Sequence, residues 1–290
     1  MSEASTGREV RIEARAKVNL FLRVLRRRDD GYHDLESLVV PVSLHDTVTV
    51  RARSKLSVEM RAAGSFEWEV IDPDHNLALI AAREWVAARG RPTEGAAVTV
   101  EKAIPVAAGL GGGSADAAAV LRAMNELWGR PFGDEELCAI GARVGSDVPA
   151  LLTDGPVVMR GRGEIVEPAR VAGLWFVVVP QPIPVSTADA YRWWDEDGGT
   201  TGPDAAPLLL AAAAGDVDAL AGLMFNDLQG PVVRRHPQLE EVRANLLRAG
   251  ALGAILCGSG PTMAGLARDE AHAHAIAARV PSAIPVSGPG

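Results

Sequence analysis

Lysine, cysteine and long apolar runs are scarce in this chain, and each scarcity closes off a class of protein. Only two cysteines occur in 290 residues, Cys138 and Cys257, each inside an apolar run and far from the other. They suit buried reduced thiols and exclude a disulfide framework or a cysteine-rich metal site. The histidines show no His-x3-His or Cys–His ligand spacing, so no metal site is expected, and His272 and His274 read as solvated. Positive charge is also short: a formal net charge of -8 excludes a broad nucleic-acid or acidic-membrane surface. An anionic ligand must therefore be held by a local arrangement. No apolar run is long enough to span a bilayer, and residues 1–17 lack the apolar core of a signal peptide. A soluble, cytoplasmic protein is expected. Against 26 arginines stand three lysines, Lys17, Lys55 and Lys102. A chain that writes nearly every surface cation as Arg keeps Lys where a compact ammonium is needed, which directs attention to Lys17.

What the chain does have is apolar residues, 48%, enough for the core of one or two domains, and one unusual stretch. Pro105–Asp116 carries four glycines in five residues, Gly109, Gly111, Gly112 and Gly113, between a strand pattern at 97–104 and a helical run at 115–128. A loop without Cβ atoms lets backbone N–H groups close around a ligand. A following helix N-terminus favours an anion through its unpaired N–H groups and dipole. Ser114 is expected at the N-cap and Asp116 in the first turn. The stretch reads as a phosphate cradle.

Taken in order, 10–16 alternates as a half-buried strand, and 17–25 reads as a second strand with Lys17 and Asn19 on one face. Strand patterns follow at 38–42, 46–52 and 56–60, then a helix at 76–88 stopped by Gly90 and Pro92. After the glycine loop and its helix, Asp134-Glu135-Glu136 caps another helix to about Val144. Gly145–Pro149 is expected to be extended, because a residue before Pro avoids the helical region. Strands at 157–159, 164–166 and 174–179 precede a helix carrying Tyr191, Trp193 and Trp194, and 195–206 reads as a mobile polar loop. Helices at 207–213, 216–225 and 237–249, a strand at 253–257, a second glycine turn at 258–261, a strand at 262–267, a helix at 269–279 and a strand at 282–286 complete the pattern. Mixed strands and helices without strict alternation predict an α+β fold. Two domains are expected, 1–160 and 161–290, with the boundary inside 155–173.

Several phosphate loops compete for the glycine stretch. A Walker A loop needs a lysine after the glycines, and none is present. The dinucleotide fingerprint is nearly met by Gly109, Gly111 and Ser114, but a second helix rather than an acid-bearing strand follows. A protein-kinase loop would need motifs that are absent. A fourth option fits closely: Pro105-x3-Gly109-Leu-Gly-Gly-Gly-Ser114 resembles the ATP loop of the GHMP kinases. Ala14–Leu20 resembles their N-terminal motif, and Leu256–Thr262 their C-terminal glycine motif. Lys17–Leu22, Arg28–His33, Gly145–Pro149 and Asn226–Leu228 together resemble the branch of that superfamily that acts on CDP-methylerythritol, over about residues 10–288.

That resemblance implies ATP-dependent phosphorylation of the 2-hydroxyl of a CDP-linked sugar alcohol in non-mevalonate isoprenoid synthesis. It also implies a ribosomal S5 domain 2-like N-terminal domain and a ferredoxin-like C-terminal domain. Phosphoryl transfer asks chiefly for positioning and charge stabilisation. On the family pattern Asp147 is the base or hydroxyl-orienting group, and Lys17 the cation beside it. Pro105, Val106, Ala107, Ala108, Gly109, Leu110, Gly111, Gly112, Gly113, Ser114 and Ala115 hold ATP, with Asn76 at the adenine. Asn19 bonds substrate; Tyr32 and His33 hold the cytosine, Tyr191 supplies an opposite aromatic face and Thr187 a polar contact. Gly258, Ser259 and Gly260 bring a second loop to the first. Mg²⁺ is expected to arrive with ATP, since no dedicated carboxylate cluster is visible. Ala115 stands where the family usually has a second Ser, and Arg15 where it usually has Pro. Trp193 and Trp194 read as a half-buried helix face.

Overall fold

The computed structural model describes residues 8–62, 75–91 and 95–289. Residues 1–7 of the stretch read for a signal peptide, and Pro92 of the helix stop, lie outside them. In chain order the elements are β1 (Glu9–Arg27), β2 (His33–Arg53), β3 (Ser57–Ala62), α1 (Leu77–Arg89), β4 (Gly95–Lys102), α2 (Gly112–Leu127), α3 (Asp134–Val144) and α4 (Val148–Leu152). Then come β5 (Val157–Gly161), β6 (Ile165–Pro168), β7 (Trp175–Val179), α5 (Thr187–Glu196), α6 (Ala206–Ala214), α7 (Val217–Leu223) and β8 (Phe225–Asn226). The rest are α8 (Gln229–Arg235), α9 (Gln238–Ala249), β9 (Gly253–Leu256), β10 (Met263–Ala267), α10 (Glu270–Ala277) and β11 (Ile284–Ser287). The fold is α+β, and α2 leads into α3 rather than a strand, against a dinucleotide unit.

Two compact units divide the chain: residues 1–16, 44–106 and 111–154 form the first, and 17–43, 107–110 and 155–290 the second. In the first, β4 pairs antiparallel with the later half of β2, Val48 opposite Val100 and Val50 opposite Val98. β3 pairs parallel with the other edge of β4. Val48, Val50, Val98 and Val100 bury one face against the helices, where Trp85, Leu121 and Met124 are fully enclosed. Nearly all the small side chains of α2 are buried, which lets α1 and α4 approach it closely.

In the second unit β7 lies between β11 and β10, and β10 pairs on to β9, all antiparallel. Val177, Val179, Leu256 and Met263 pack under Leu239, Leu246 and Ile276 of α9 and α10. There the early half of β2 pairs with β5, and the later half of β1 runs parallel to β8, Phe21 opposite Phe225.

Several sequence expectations are corrected here. Residues 10–16 and 17–25 are one strand, since neither Gly nor Pro interrupts them; the alternating burial of 9–15 passes into a fully buried run at 16–22. The patterns at 38–42 and 46–52 are likewise one strand, β2, with Pro41 falling between its pairing to β5 and its pairing to β4. Gly145–Pro149 is not extended throughout: Asp147 is helical and Val148–Leu152 forms α4, with Pro149 in the first turn, where its missing N–H costs nothing. Gly133, not Asp134, is the N-cap of α3, and Glu136 Oε2 accepts its N–H at 2.9 Å. Asp195 and Glu196 belong to α5, and the residues after them are tied down rather than loose. Arg23 donates to the Pro203 carbonyl at 3.0 Å, and the Thr200 hydroxyl donates to Asp227.

Candidate active site

The glycine-rich segment runs from the end of β4 to the start of α2. Ala107, Gly109 and Gly111 take left-handed backbone, with φ of 54, 75 and 73°, a region where only glycine is unstrained. Position 109 needs glycine for a second reason. A Cβ there would lie 2.4 Å from the Cys257 carbonyl oxygen and 2.6 Å from that of Gly260. In the second unit, therefore, two glycine turns interlock, joined by Thr262 N donating to the Ala108 carbonyl at 3.2 Å.

Lys17 sits at this junction, only 4% exposed. Its backbone N donates to Leu110 O at 2.9 Å, and its ammonium donates to the Gly109 carbonyl at 2.9 Å and to Asn19 Oδ1 at 2.7 Å. A Cβ on Gly258 would fall 2.8 Å from that ammonium. Asn19 is itself held, its Nδ2 donating at 2.9 Å to the Ser37 hydroxyl, which donates to the Phe21 carbonyl at 2.6 Å. The Asn19 amide thus orients Lys17. Asn226 Nδ2 supports the second turn by donating to Leu256 O at 2.8 Å and Gly258 O at 2.7 Å. Asp227, whose carboxyl is pushed up by burial, accepts from Val24 N at 2.8 Å. The Cys257 thiol inside the turn is pushed up to about 12 by burial, which removes it as a nucleophile at neutral pH.

In the first unit α2 begins at Gly112, with Gly111 at the N-cap and no side-chain cap. A helix start without a side-chain cap is the arrangement that favours an anion there. Ser114 is accordingly inside the first turn and not the N-cap. Asp116 lies beyond that turn with its carboxyl buried, so it does not serve the dipole. Ala115 is buried in the core cluster. Asp147 occupies the N-cap position of α4, half-buried, with φ -84° and ψ -12°. Asn76 caps α1: its Oδ1 accepts from Ala78 N at 3.0 Å and Leu79 N at 3.3 Å, a structural duty beside the expected one at adenine.

The cytosine candidates divide. His33 is buried, stacked on Tyr191 at 4.9 Å and 27° and edge-on to Trp194 at 5.7 Å. Its Nε2 lies 2.9 Å from Asp195 Oδ1. A carboxylate there keeps the proton of a neutral imidazole on Nε2 and leaves Nδ1 as an acceptor. Tyr32 stands apart, 53% exposed with Arg162 over its ring at 4.9 Å. Thr187 Oγ1 is 3.2 Å from Ser259 Oγ, linking α5 to the second glycine turn. Sequence reading missed Asp195, Trp194, Ser37 and Asn226 as members of this surface. Only the Asn226-Asp227 pair carried a signal, and its support of Gly258 needs three-dimensional structure to appear. Among the described residues no group of three or more His, Cys, Asp or Glu could hold a metal ion, and no helix is long and apolar enough to cross a membrane.

Comparison with known proteins agrees with this geometry. The GHMP kinases N terminal domain matches residues 76–155, and the GHMP kinases C terminal domain residues 207–286. The 4-diphosphocytidyl-2-C-methyl-D-erythritol kinase of Symbiobacterium thermophilum is 43% identical over 263 residues, 89% of this chain and 91% of that protein. The enzyme of the same name from Pelotomaculum thermopropionicum is 40% identical over 269 residues, covering 92% of each. A crystal structure of 4-(cytidine 5'-diphospho)-2C-methyl-D-erythritol kinase superposes with a TM-score of 0.79 at 35% identity, over 97% of this chain and all of that one. Identity at this level along nearly the whole length, with both family domains in order, means that the chain belongs to the 4-diphosphocytidyl-2-C-methyl-D-erythritol kinase family of GHMP kinases.

Proposed function

We propose that this chain transfers the γ-phosphoryl group of ATP to the 2-hydroxyl of 4-diphosphocytidyl-2-C-methyl-D-erythritol, giving the 2-phosphate and ADP in the non-mevalonate isoprenoid route. The observation that carries the reading is the Lys17 ammonium, 2.9 Å from the Gly109 carbonyl of the glycine-rich loop. This loop has no lysine of its own, and Lys17 on β1 supplies the cation from elsewhere in the chain. The γ-phosphoryl passes through a loose transition state whose charge is spread over its oxygens, and a fixed ammonium offsets that charge without reorganising. Asp147 accepts the proton of the 2-hydroxyl as its oxygen bonds to phosphorus and the bond to ADP breaks.

The remaining roles follow the same reading. Pro105–Ala115 holds the phosphates, and Asn76 lies toward the adenine. Asn19 orients Lys17. His33, fixed by Asp195, reads the cytosine edge beside Tyr191, with Tyr32 and Thr187 completing the contacts. Mg²⁺ comes with the nucleotide: this ion keeps several waters and takes substrate phosphates as ligands, which suits a cradle built of glycine backbone. When bound, it neutralises phosphate charge. The protein works in the cytoplasm on small molecules alone.

An ADP-release assay with CDP-methylerythritol, mevalonate, homoserine and galactose tests this reading. Turnover with the CDP-linked acceptor alone is expected, falling about 10²–10⁴-fold in Asp147→Asn. Turnover with another acceptor only, or an unaffected Asp147→Asn, sinks it.

A further inference from the structure

We infer that Lys102, Asp46 and Asp116 form a buried brace that fixes both ends of the glycine-rich loop, and that they are positioning residues for ATP. This rests on the reading of that loop as the nucleotide site. They act on the backbone at either side of the loop, Asp46 on Ala103 and Ile104 and Asp116 from within the helix that follows it.

The geometry lies wholly within the first unit. Asp46 on β2 is fully buried, and its Oδ1 accepts from Ala103 N at 2.5 Å and Ile104 N at 2.7 Å, the first two residues after β4. Its Oδ2 accepts from the Lys102 ammonium, which also donates at 2.8 Å to Asp116 Oδ2 on α2. One ammonium thus joins the entry of the loop to its exit. An independent contact marks the same meeting. A Cβ on Gly112, the first residue of α2, would lie 2.9 Å from Ile104 Cγ2, so the two ends touch where a side chain is missing.

Charge sets what the brace can be. Two carboxylates facing one ammonium would leave a net negative charge in a dry place. Asp46 has two backbone donors besides the lysine. Asp116 Oδ1 is buried with no hydrogen-bond partner, and burial raises its carboxyl, so Asp116 takes the proton. A buried ionic cluster of this kind gives little net stability over apolar residues of the same volume. Its use is directional: an ammonium with two fixed acceptors sets the distance between β4 and α2, which apolar packing would let slide.

The test uses the full chain and three readouts. Affinity is measured by calorimetry for a non-hydrolysable ATP analogue and, separately, for CDP. Amide hydrogen exchange of the ligand-free protein is followed over 103–115 and over β7. Lys102→Met is expected to weaken the ATP analogue at least tenfold, change CDP less than threefold, and speed exchange at least tenfold over 103–115 but not over β7. Asp116→Asn, which copies the neutral carboxyl, is expected to keep the analogue affinity within threefold. If Lys102→Met does not fold, Lys102→Met with Asp46→Asn removes the stranded charge, keeps an acceptor for Ala103 N and Ile104 N, and is read in the same way. Unchanged analogue affinity, an equal loss for CDP, or faster exchange everywhere would overturn the brace, as would unchanged exchange over 103–115. A wild-type protein that binds neither nucleotide overturns the kinase reading instead, and the exchange data then still decide the brace.

Discussion

Two of the three lysines are buried, and they are buried differently. Lys102 ends between two carboxylates that tie one part of its own unit to another. Lys17 donates to an amide oxygen and a main-chain carbonyl beside two glycine turns. An ammonium matched by carboxylates within the fold is committed to holding distances. One that reaches into a glycine-rich turn is, on the proposed function, placed where a ligand's charge approaches. On the proposed function, the same residue type, equally hidden from water, serves geometry in one place and chemistry in the other.

If that contrast holds, substitution should separate stability from rate. The largest effect is expected for Lys102→Met, which strands Asp46 beside Asp116 in the interior. A loss of about 3–5 kcal/mol in urea unfolding is expected, the usual cost of removing one partner of a buried ion pair. A loss below about 1 kcal/mol would make the two lysines alike.

Lys17→Ala is expected to reverse the pattern: kcat falls by about 10²–10³, or 2.7–4 kcal/mol of transition-state stabilisation, with a smaller change in the unfolding midpoint. A fall of less than about tenfold, roughly 1.4 kcal/mol, would put the phosphoryl-facing cation elsewhere.

The finest distinction concerns Asp116, whose carboxyl is pushed up to about 8 by burial and the neighbouring Asp46 charge, against the lowering pull of Lys102. A folded-state value raised above the unfolded one favours the protonated native state. That stability is complete below the ordinary carboxylate range and is lost as pH rises toward 8. Unfolding free energy should therefore decline from pH 5 to 8 by at most about 1.4 kcal/mol per pH unit for this group, then level off. In Asp116→Asn the decline should be absent. Equal pH profiles for the two proteins would remove the proton from Asp116.

The sequence made much of this readable, and the limits were physical. Element types were readable from periodicity, because apolar residues alternate through 10–16 and recur at helical spacing through 115–127. Where 17–22 is buried on both faces, alternation vanishes, and the continuity of β1 could not be seen. The glycine loop and Lys17 stood out by composition and motif. Lys102 did not, although it is one of only three lysines, because its partners Asp46 and Asp116 are 56 and 14 residues away in the chain. Asp195 was hidden for a related reason: a polar, glycine-rich run reads as loop, and only folding brings it 2.9 Å from His33 across 162 residues. Helix starts were the weakest readings. Gly111 and Gly133 cap where side chains would be expected to, because the first is followed by a turn left open and the second borrows Glu136.

The interlock of the two glycine turns has a consequence for inheritance. With a carbonyl oxygen 2.4 Å from where a methyl on residue 109 would sit, and the lysine ammonium 2.8 Å from one on residue 258, neither turn can drift in sequence alone. A side chain at 109 meets the main chain of the other turn, so no substitution at its counterpart some 150 residues away can make room for it.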